Sequence, residues 1–328
     1  MYHAVIEKAF ILVCAAAFWD YLIGDPWSFP HPVQLMGWII KQLSQIILKQ
    51  FNSKTARKLA GVFLGLILII GTGFLTWLGL YFIEKINPIL AALLQIILLA
   101  SCFAGRSLRR AAEEVLTPLS RGDIELARAK LGLYVGRDTA QLSAPEILRA
   151  VLETIAENAT DGVTAPLFYA LLGIFIPTVG TVPFCMAYKA ASTLDSMIGY
   201  LREPYRDLGW FSAQLEDRLT WLPCRLTVLT IALFSTRPCY ILTICRRDAI
   251  QDPSPNSGWS ECVYAATLGV QLGGINSYQG EVKEKPLLGE AIKPITPEII
   301  HQALGLMRWC FLGWLIAVGG MIWMLTLS

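Results

Sequence analysis

Apolar and polar positions along this chain come in blocks, and many of the apolar blocks are too long for the core of a soluble domain. Residues 4–24 are apolar and close on Trp19-Asp20-Tyr21, with an aromatic pair suited to a membrane–water interface. No cleavage pattern follows, so the run reads as a retained span. Residues 33–51 differ. Leu35, Met36, Ile39, Ile40, Leu43, Ile46 and Ile47 recur at helical period, opposed by Gln34, Lys41, Gln42, Gln45 and Lys49. That spacing predicts an amphipathic helix lying on a surface. The apolar runs 59–83 and 89–104 flank Asn87-Pro88 and predict a hairpin, with Lys54, Arg57 and Lys58 before it and Arg106, Arg109 and Arg110 after it. Basic flanks place both ends on the cytoplasmic side.

The stretch 105–160 is polar with helical period, broken at Pro118 and Gly122. The next apolar run, 163–176, reaches roughly 21 Å as helix, short of the ~30 Å hydrocarbon core. It stops at Pro177-Thr-Val-Gly-Thr-Val-Pro183 and resumes over 184–201, which predicts a re-entrant helical hairpin. Short apolar pieces at 222–235 and 239–245 and a final span at 309–327 complete the pattern. The expected fold is all-α: a polytopic membrane protein with about five membrane-entering units, in one membrane-embedded domain, 1–328. A cytoplasmic helical insertion (about 105–160) and a polar loop (about 246–307) complete that expectation.

Composition strengthens the membrane reading. Hydrophobic residues make up 55% of the chain and charged residues 16%, with a mean hydropathy of +0.52, where soluble domains run near a quarter charged. The net charge of +2 gives no reason to expect nucleic acid. Eight scattered cysteines without a Cys-x-x-Cys pair, and only His3, His31 and His301, argue against a disulfide framework, a zinc site or a histidine-rich metal centre.

Polar side chains concentrate in a few stretches. Glu153 and Glu157 share a helix face, Asp161 continues the row if the helix persists, and Gly162 is expected to end it. Such repulsion offers itself to a cation, although a solvated helix face at a membrane boundary has the same pattern. Lys189, Ser192, Asp195 and Ser196 put a cation, hydroxyls and a carboxylate on one face of the returning hairpin helix, and the hairpin would set that face beside the acidic row as one polar site. Gly136-Arg137-Asp138-Thr139 is compatible with an anion or metal site and equally with a turn holding an ion pair. Gln251–Gly258 is too rich in proline and small hydroxyl residues for helix. It leads into a helix near Trp259, so its amides suit a phosphate, or it is a plain connector. Prolines on both sides of His31 fix an extended loop.

These motifs resemble those of the CbiB/CobD membrane proteins of cobalamin biosynthesis, the adenosylcobinamide-phosphate synthases. The resemblance rests on Gly24-Asp25-Pro26 with Pro30-His-Pro-Val33, Gly136–Thr139, Glu153-Thr-x-Ala-Glu-Asn158 and Asp161-Gly-x-x-Ala-Pro-Leu-Phe168. It continues through Lys189-Ala, Thr193–Tyr200, Ser254-Pro-Asn-Ser-Gly258 and Leu272-Gly-Gly274, in order from about residue 20 to 290. Two positions depart from the family pattern: Ser192 stands where asparagine is usual, and Glu216-Asp217 with Thr220 replace an Asp-Asp pair and a following asparagine.

The resemblance implies ATP- and Mg²⁺-dependent amide formation between adenosylcobyric acid, a corrinoid, and an aminopropanol phosphate. An unreactive carboxylate must be activated before an amine attacks it, most simply as an acyl phosphate. On that reading Glu157, Asp161, Asp195, Asp138 and Asp25 are the expected metal ligands. Lys189 and Arg137 neutralise phosphate, and Asp161 joins them in the catalytic set. Asn158, Ser192, Ser196, Ser254, Asn256, Ser257 and Gly258 bind substrate or phosphate, and His31 is a base for the incoming ammonium, a substrate contact or a structural hydrogen-bonder. The implied setting is the inner cell membrane, with the active site facing the cytoplasm. The implied partners are the two substrates, the bilayer, and either a second copy or later membrane enzymes of the pathway. A corrinoid or anion transporter and a non-catalytic signalling relative are the alternatives. Vesicle uptake and a test for an amide product separate them.

Overall fold

The computed structural model describes residues 2–24, 31–200 and 202–327, and the expected metal ligand Asp25 lies outside them. The chain divides into two compact units. One comprises Met1–Ala104, Ala165–Thr220 and Leu315–Ser328, the other Gly105–Thr164 and Trp221–Trp314.

The first unit is helical. Its elements are α1 (Tyr2–Leu22), α2 (Pro32–Gln50), α3 (Lys54–Ile86), α4 (Pro88–Ala100), α8 (Ala165–Ile174) and α9 (Thr181–Ile198), with the beginning of α10 (Trp210–Phe234) and the end of α13 (Pro297–Leu327). Helix starts follow local chemistry. Ser53 caps α3 by accepting from the Ala56 amide at 3.2 Å, and Asn87 caps α4 by accepting from Ile89 and Leu90. Pro88 sits at the first helical position, where its missing N–H costs nothing. The surface helix expected over 33–51 is α2, which buries Met36, Ile40 and Ser44 and packs against α9.

Helix α3 shows why its sequence is apolar all round. Gly61, Leu64, Gly65 and Leu68 form the buried stripe, while Phe63, Ile67, Ile70 and Phe74 stay exposed. Only glycine fits at 65, because a Cβ there would lie 2.7 Å from the Phe211 ring. Among the described residues, α3 and Pro297–Thr326 are long and apolar enough to cross a membrane. The bent pair Pro88–Ala100 and Gly105–Ser120 adds a third if it counts as one span. Length and composition thus give two or three spans where about five membrane-entering units were expected. α1 carries Glu7, Lys8 and Asp20, and α8 and α9 are short.

The expected hairpin over 163–201 is α8 and α9. Its turn is tight: a Cβ on Gly173 would approach the Gly180 carbonyl to 2.6 Å. Tyr169 and Tyr188 stack across it at 4.8 Å, and Trp77 of α3 donates to the Thr178 carbonyl at 3.0 Å.

The second unit contains α5 (Gly105–Ser120), α6 (Ile124–Leu131), α7 (Ala144–Ala159), a π-helical turn (Thr160–Thr164), α11 (Pro238–Asp248) and α12 (Ser257–Leu268). The rest of α10 and the start of α13 also belong to it. The continuous core draws Ile147, Leu152 and Ile155 from α7, Val263 and Tyr264 from α12, and Ile300 and Leu304 from α13.

Two expectations need correction here. The fold is mostly helical but not all-α. The stretch expected as a polar loop over 246–307 contains α12 and an antiparallel hairpin, β1 (Gln271–Tyr278) with β2 (Glu281–Gly289). Gln279 and Gly280 both have positive φ, 55° and 81°, as a two-residue turn joining twisted strands requires. Gly162, expected to end its helix, lies inside the π-helical turn instead, and the chain runs on into α8.

Candidate functional site

The best-defined polar cluster lies in the second unit, where α7, α12 and the β-hairpin meet. Helix α7 begins with a capping box: Ser143 donates from its backbone amide (2.7 Å) and hydroxyl (2.6 Å) to Glu146. With its start fixed, α7 presents Glu153, Glu157 and then Asp161 of the π-helical turn at intervals of four. Glu153 is buried, Asp161 half-buried and Glu157 open to solvent.

Glu153 is fully engaged. Arg137 donates a short charged hydrogen bond to its Oε2, and the Gly273 amide donates to its Oε1 at 3.0 Å. Arg137 also donates to Asn276 Oδ1 at 2.8 Å. Arg149, one turn before Glu153, reaches the carbonyls of Gly273 and Ile275. Asp138 accepts from the Ser277 hydroxyl (2.6 Å) and from the amides of Gln279 (3.0 Å) and Gly280 (2.8 Å). The Gly136–Thr139 motif therefore clasps the turn end of the hairpin, and its Arg137 pairs with Glu153. Three donors hold the Asp138 carboxyl below its usual range, Ser277 foremost.

The clasp orients β2. A register irregularity between Leu272 and Gly274 sets Gly274 opposite Lys285. Lys285 Nζ then stands 3.5 Å from Oε1 of Glu261 on α12, a side chain with no exposure. Glu261 Oε2 is buried and has no hydrogen-bond partner among the described residues. Burial raises the Glu261 carboxyl to about 8, with the Glu157, Glu153 and Asp252 carboxylates adding to the effect and Lys285 opposing it. Burial alone would lower the Lys285 ammonium, but the carboxylates of Glu261, Glu157 and Glu153 outweigh it and the group holds its proton more tightly than usual. Glu157 touches water yet is ringed by protein on most sides. Poor hydration raises its carboxyl, helped by Asp252 and Glu153 and opposed by Lys285 and Arg137.

The Gln251–Gly258 loop folds back on itself. Asp252 accepts from the Ser254 amide at 2.8 Å, and the Ser254 hydroxyl accepts from the amides of Asn256 (3.2 Å) and Ser257 (3.1 Å). Asn256 is buried, taking Arg225 on Oδ1 at 3.2 Å, and Gly258 is buried against Asp252 and Ala249. These bonds occupy several of the donors and acceptors expected for phosphate and set the start of α12. Exposed Asn158 donates to the Thr154 carbonyl at 2.9 Å.

The remaining expected residues belong to the first unit. Lys189, Ser192 and Asp195 are half-buried on α9, and Ser196 is exposed there. The Lys189 carbonyl accepts from Thr193 at 2.7 Å, and Ser196 donates to the Thr193 carbonyl at 2.9 Å. Buried Glu216, Thr220 and Tyr188 are linked nearby, with Tyr188 and Thr220 hydroxyls 2.9 Å apart. His31 has the extended backbone its prolines predict, and its Nδ1 accepts from the Val33 amide at 3.2 Å as the N-cap of α2.

Sequence reasoning missed Glu261, Lys285 and Arg149. Glu261 is a lone carboxylate in an otherwise apolar helical stretch, Ser260-Glu-Cys-Val-Tyr-Ala-Ala266, a residue type almost never fully buried without a reason. That was the available signal. Lys285 lies on a strand the sequence pattern did not reveal. Among the described residues, no group of three or more His, Cys, Asp or Glu is arranged to hold a metal ion unaided.

Comparison with known proteins gives a consistent result. A model of the CobD/Cbib protein family matches residues 13–307. A cobalamin biosynthesis protein CobD from Synechocystis sp. is 58% identical over 311 residues, covering 95% of this chain and 91% of the relative. The protein of that name from Halalkalibacterium halodurans is 40% identical over 328 residues, covering 96% and 98%. A cobalamin biosynthesis protein CbiB from Salmonella arizonae is 39% identical over 299 residues, covering 90% and 91%. No solved structure matches.

Proposed function

The chain belongs to the CobD/CbiB family of cobalamin biosynthesis proteins, and from that premise we propose that it is an adenosylcobinamide-phosphate synthase. It joins the propionate carboxylate of adenosylcobyric acid to the amine of (R)-1-aminopropan-2-ol O-phosphate. The observation that carries this reading is the family match over residues 13–307, which runs from within α1 into α13 and so covers every element between them.

The donor set fits ATP with Mg²⁺. Glu157 and Asp161 stand four residues apart at the end of α7, one open and one half-buried, and offer the one or two carboxylates that Mg²⁺ takes beside phosphate oxygens. Bound ATP with Mg²⁺ would supply the phosphoryl group that activates the corrinoid carboxylate. Lys189 balances phosphate charge, with Ser192 and Ser196 as neutral donors and Asp195 as a further metal ligand. Ser257 and Gly258, at the start of α12, and exposed Asn158 contribute polar contacts to phosphate. Arg137 acts through Glu153, fixing the acidic face of α7, and Asp138 fixes the hairpin tip. His31 holds the start of α2. The polar motifs face the cytoplasm from a chain with about five membrane-entering units in the inner membrane, and a second copy or later enzymes of the pathway are its partners there.

Asp161→Ala and Lys189→Ala test these roles. Each is expected to abolish amide formation by the purified protein while leaving its thermal unfolding unchanged. Undiminished activity in both variants would remove them from the site.

A further inference from the structure

Two buried carboxylates of the second unit have no task in the roles above: Asp248, which is held by Arg247 and the Gly289 amide, and Glu261. One oxygen of Glu261 faces Lys285 Nζ at 3.5 Å, the outer limit of a hydrogen bond, and the other is buried with no partner among the described residues. A carboxylate held this way has unused capacity for a donor. Charge points the same way. Glu157 and Asp252 add carboxyls beside the Glu261–Lys285 pair, while Arg137, the other cation acting here, is already engaged by Glu153. A primary ammonium needs only one well-placed carboxylate oxygen.

We propose that Glu261 and Lys285 together form the subsite for a small molecule carrying a primary ammonium and a phosphate ester, with the ammonium on Glu261 Oε2 and the phosphate on Lys285. This deepens the synthase reading and rests on it, since that reaction consumes such an amine. The pair is matched to the ligand: a carboxyl with no exposure, which ionises against an incoming ammonium, beside a half-buried cation on a flexible four-carbon stem. Binding exchanges one internal ion pair for two intermolecular ones, so neither buried charge is left uncompensated. The hairpin clasp and the Gly273–Gly274 irregularity set where Lys285 stands, which makes Arg137 and Arg149 positioning residues for the subsite.

Binding can be measured without turnover. The full chain in detergent is titrated calorimetrically with ethanolamine phosphate, with 1-aminopropan-2-ol O-phosphate, and with amine-free propyl phosphate. The wild type is expected to bind the amine-free ester at least about tenfold more weakly, as loss of a charged hydrogen bond implies. Glu261→Gln should weaken the two amines by about the same factor and leave the amine-free ester within about twofold. Lys285→Met should weaken all three. A wild type that does not discriminate overturns the proposal even if Glu261→Gln fails to fold, and so does a Glu261→Gln variant that binds the amines as the wild type does. Amide synthesis without discrimination overturns the subsite alone. Discrimination without amide synthesis overturns the synthase reading.

Discussion

Replacing Arg137 by methionine tests whether the buried ion pair organises the acidic face. The Arg137 and Glu153 side chains are 7% and 3% exposed, so solvent cannot substitute for the lost partner. In Arg137→Met, Glu153 keeps only the Gly273 amide, while Asn276 Oδ1 keeps Arg149 at 3.3 Å. The added cost is therefore that of an uncompensated buried carboxylate, about 3–5 kcal/mol. If hairpin and α7 amides exchange through a shared local opening, their hydrogen exchange accelerates by roughly two to three and a half orders of magnitude. Mass spectrometry of peptides covering 144–159 and 271–289 from the full chain in detergent reads this directly. The double variant Arg137→Met/Glu153→Met replaces the pair with apolar side chains and should recover most of the protection. Arg137→Lys keeps charge but loses the planar fork, and should fall between. Wild-type exchange in Arg137→Met, or a double variant worse than the single, would refute the reasoning.

Two further outcomes follow from the same unit. The Asp138 carboxyl is held below its usual range, so its contribution to the hairpin turn is present above the ordinary carboxylate range and is lost as pH falls through the lowered value. Acidification from about pH 4 downward should speed exchange at residues 277–280, and Asp138→Asn should remove that dependence; a pH-independent turn in the wild type contradicts it. In Gly258→Ala, the new Cβ would lie 2.5 Å from Asp252 Cβ and 2.8 Å from the Ala249 carbonyl. Overpacking of about 1–3 kcal/mol should lower the melting temperature in detergent, and an unchanged melting temperature contradicts the packing.

What the sequence makes legible, and what it hides, follows from how each feature is encoded. Helix α3 is visible because nothing but lipid or protein suits Phe63, Ile67 and Ile70. Helix α2 is visible because its buried stripe of Met36 and Ile40 alternates with polar residues at the helical period. The α8–α9 hairpin is announced by the proline- and glycine-marked turn between two short apolar runs. The β-hairpin is hidden because β2 is exposed from Glu281 through Glu284 regardless of face, which erases the period-two signal, and because Gly273 and Gly274 interrupt β1. Tyr278-Gln-Gly280 is the only turn cue left.

The site divides similarly. Glu153, Glu157 and Asp161 are legible because four-residue spacing is a local property of helices. The Arg137–Glu153 pair is not, since partners 16 residues apart across an irregular loop leave no periodic trace. Glu261 and Lys285 meet only after the hairpin pairs in its irregular register, which no local pattern encodes. For Asp138 and His31 the sequence is compatible with both chemistry and structure, and both accept backbone amides, Asp138 at the hairpin turn and His31 at the start of α2.

The decisive measurement is product formation by the purified full chain with ATP, Mg²⁺, adenosylcobyric acid and (R)-1-aminopropan-2-ol O-phosphate, followed by mass spectrometry. Synthesis of adenosylcobinamide phosphate, dependent on both ATP and the amine, is the expected result. Absence of any amide product under every metal condition, with the protein folded and both substrates intact, would contradict it.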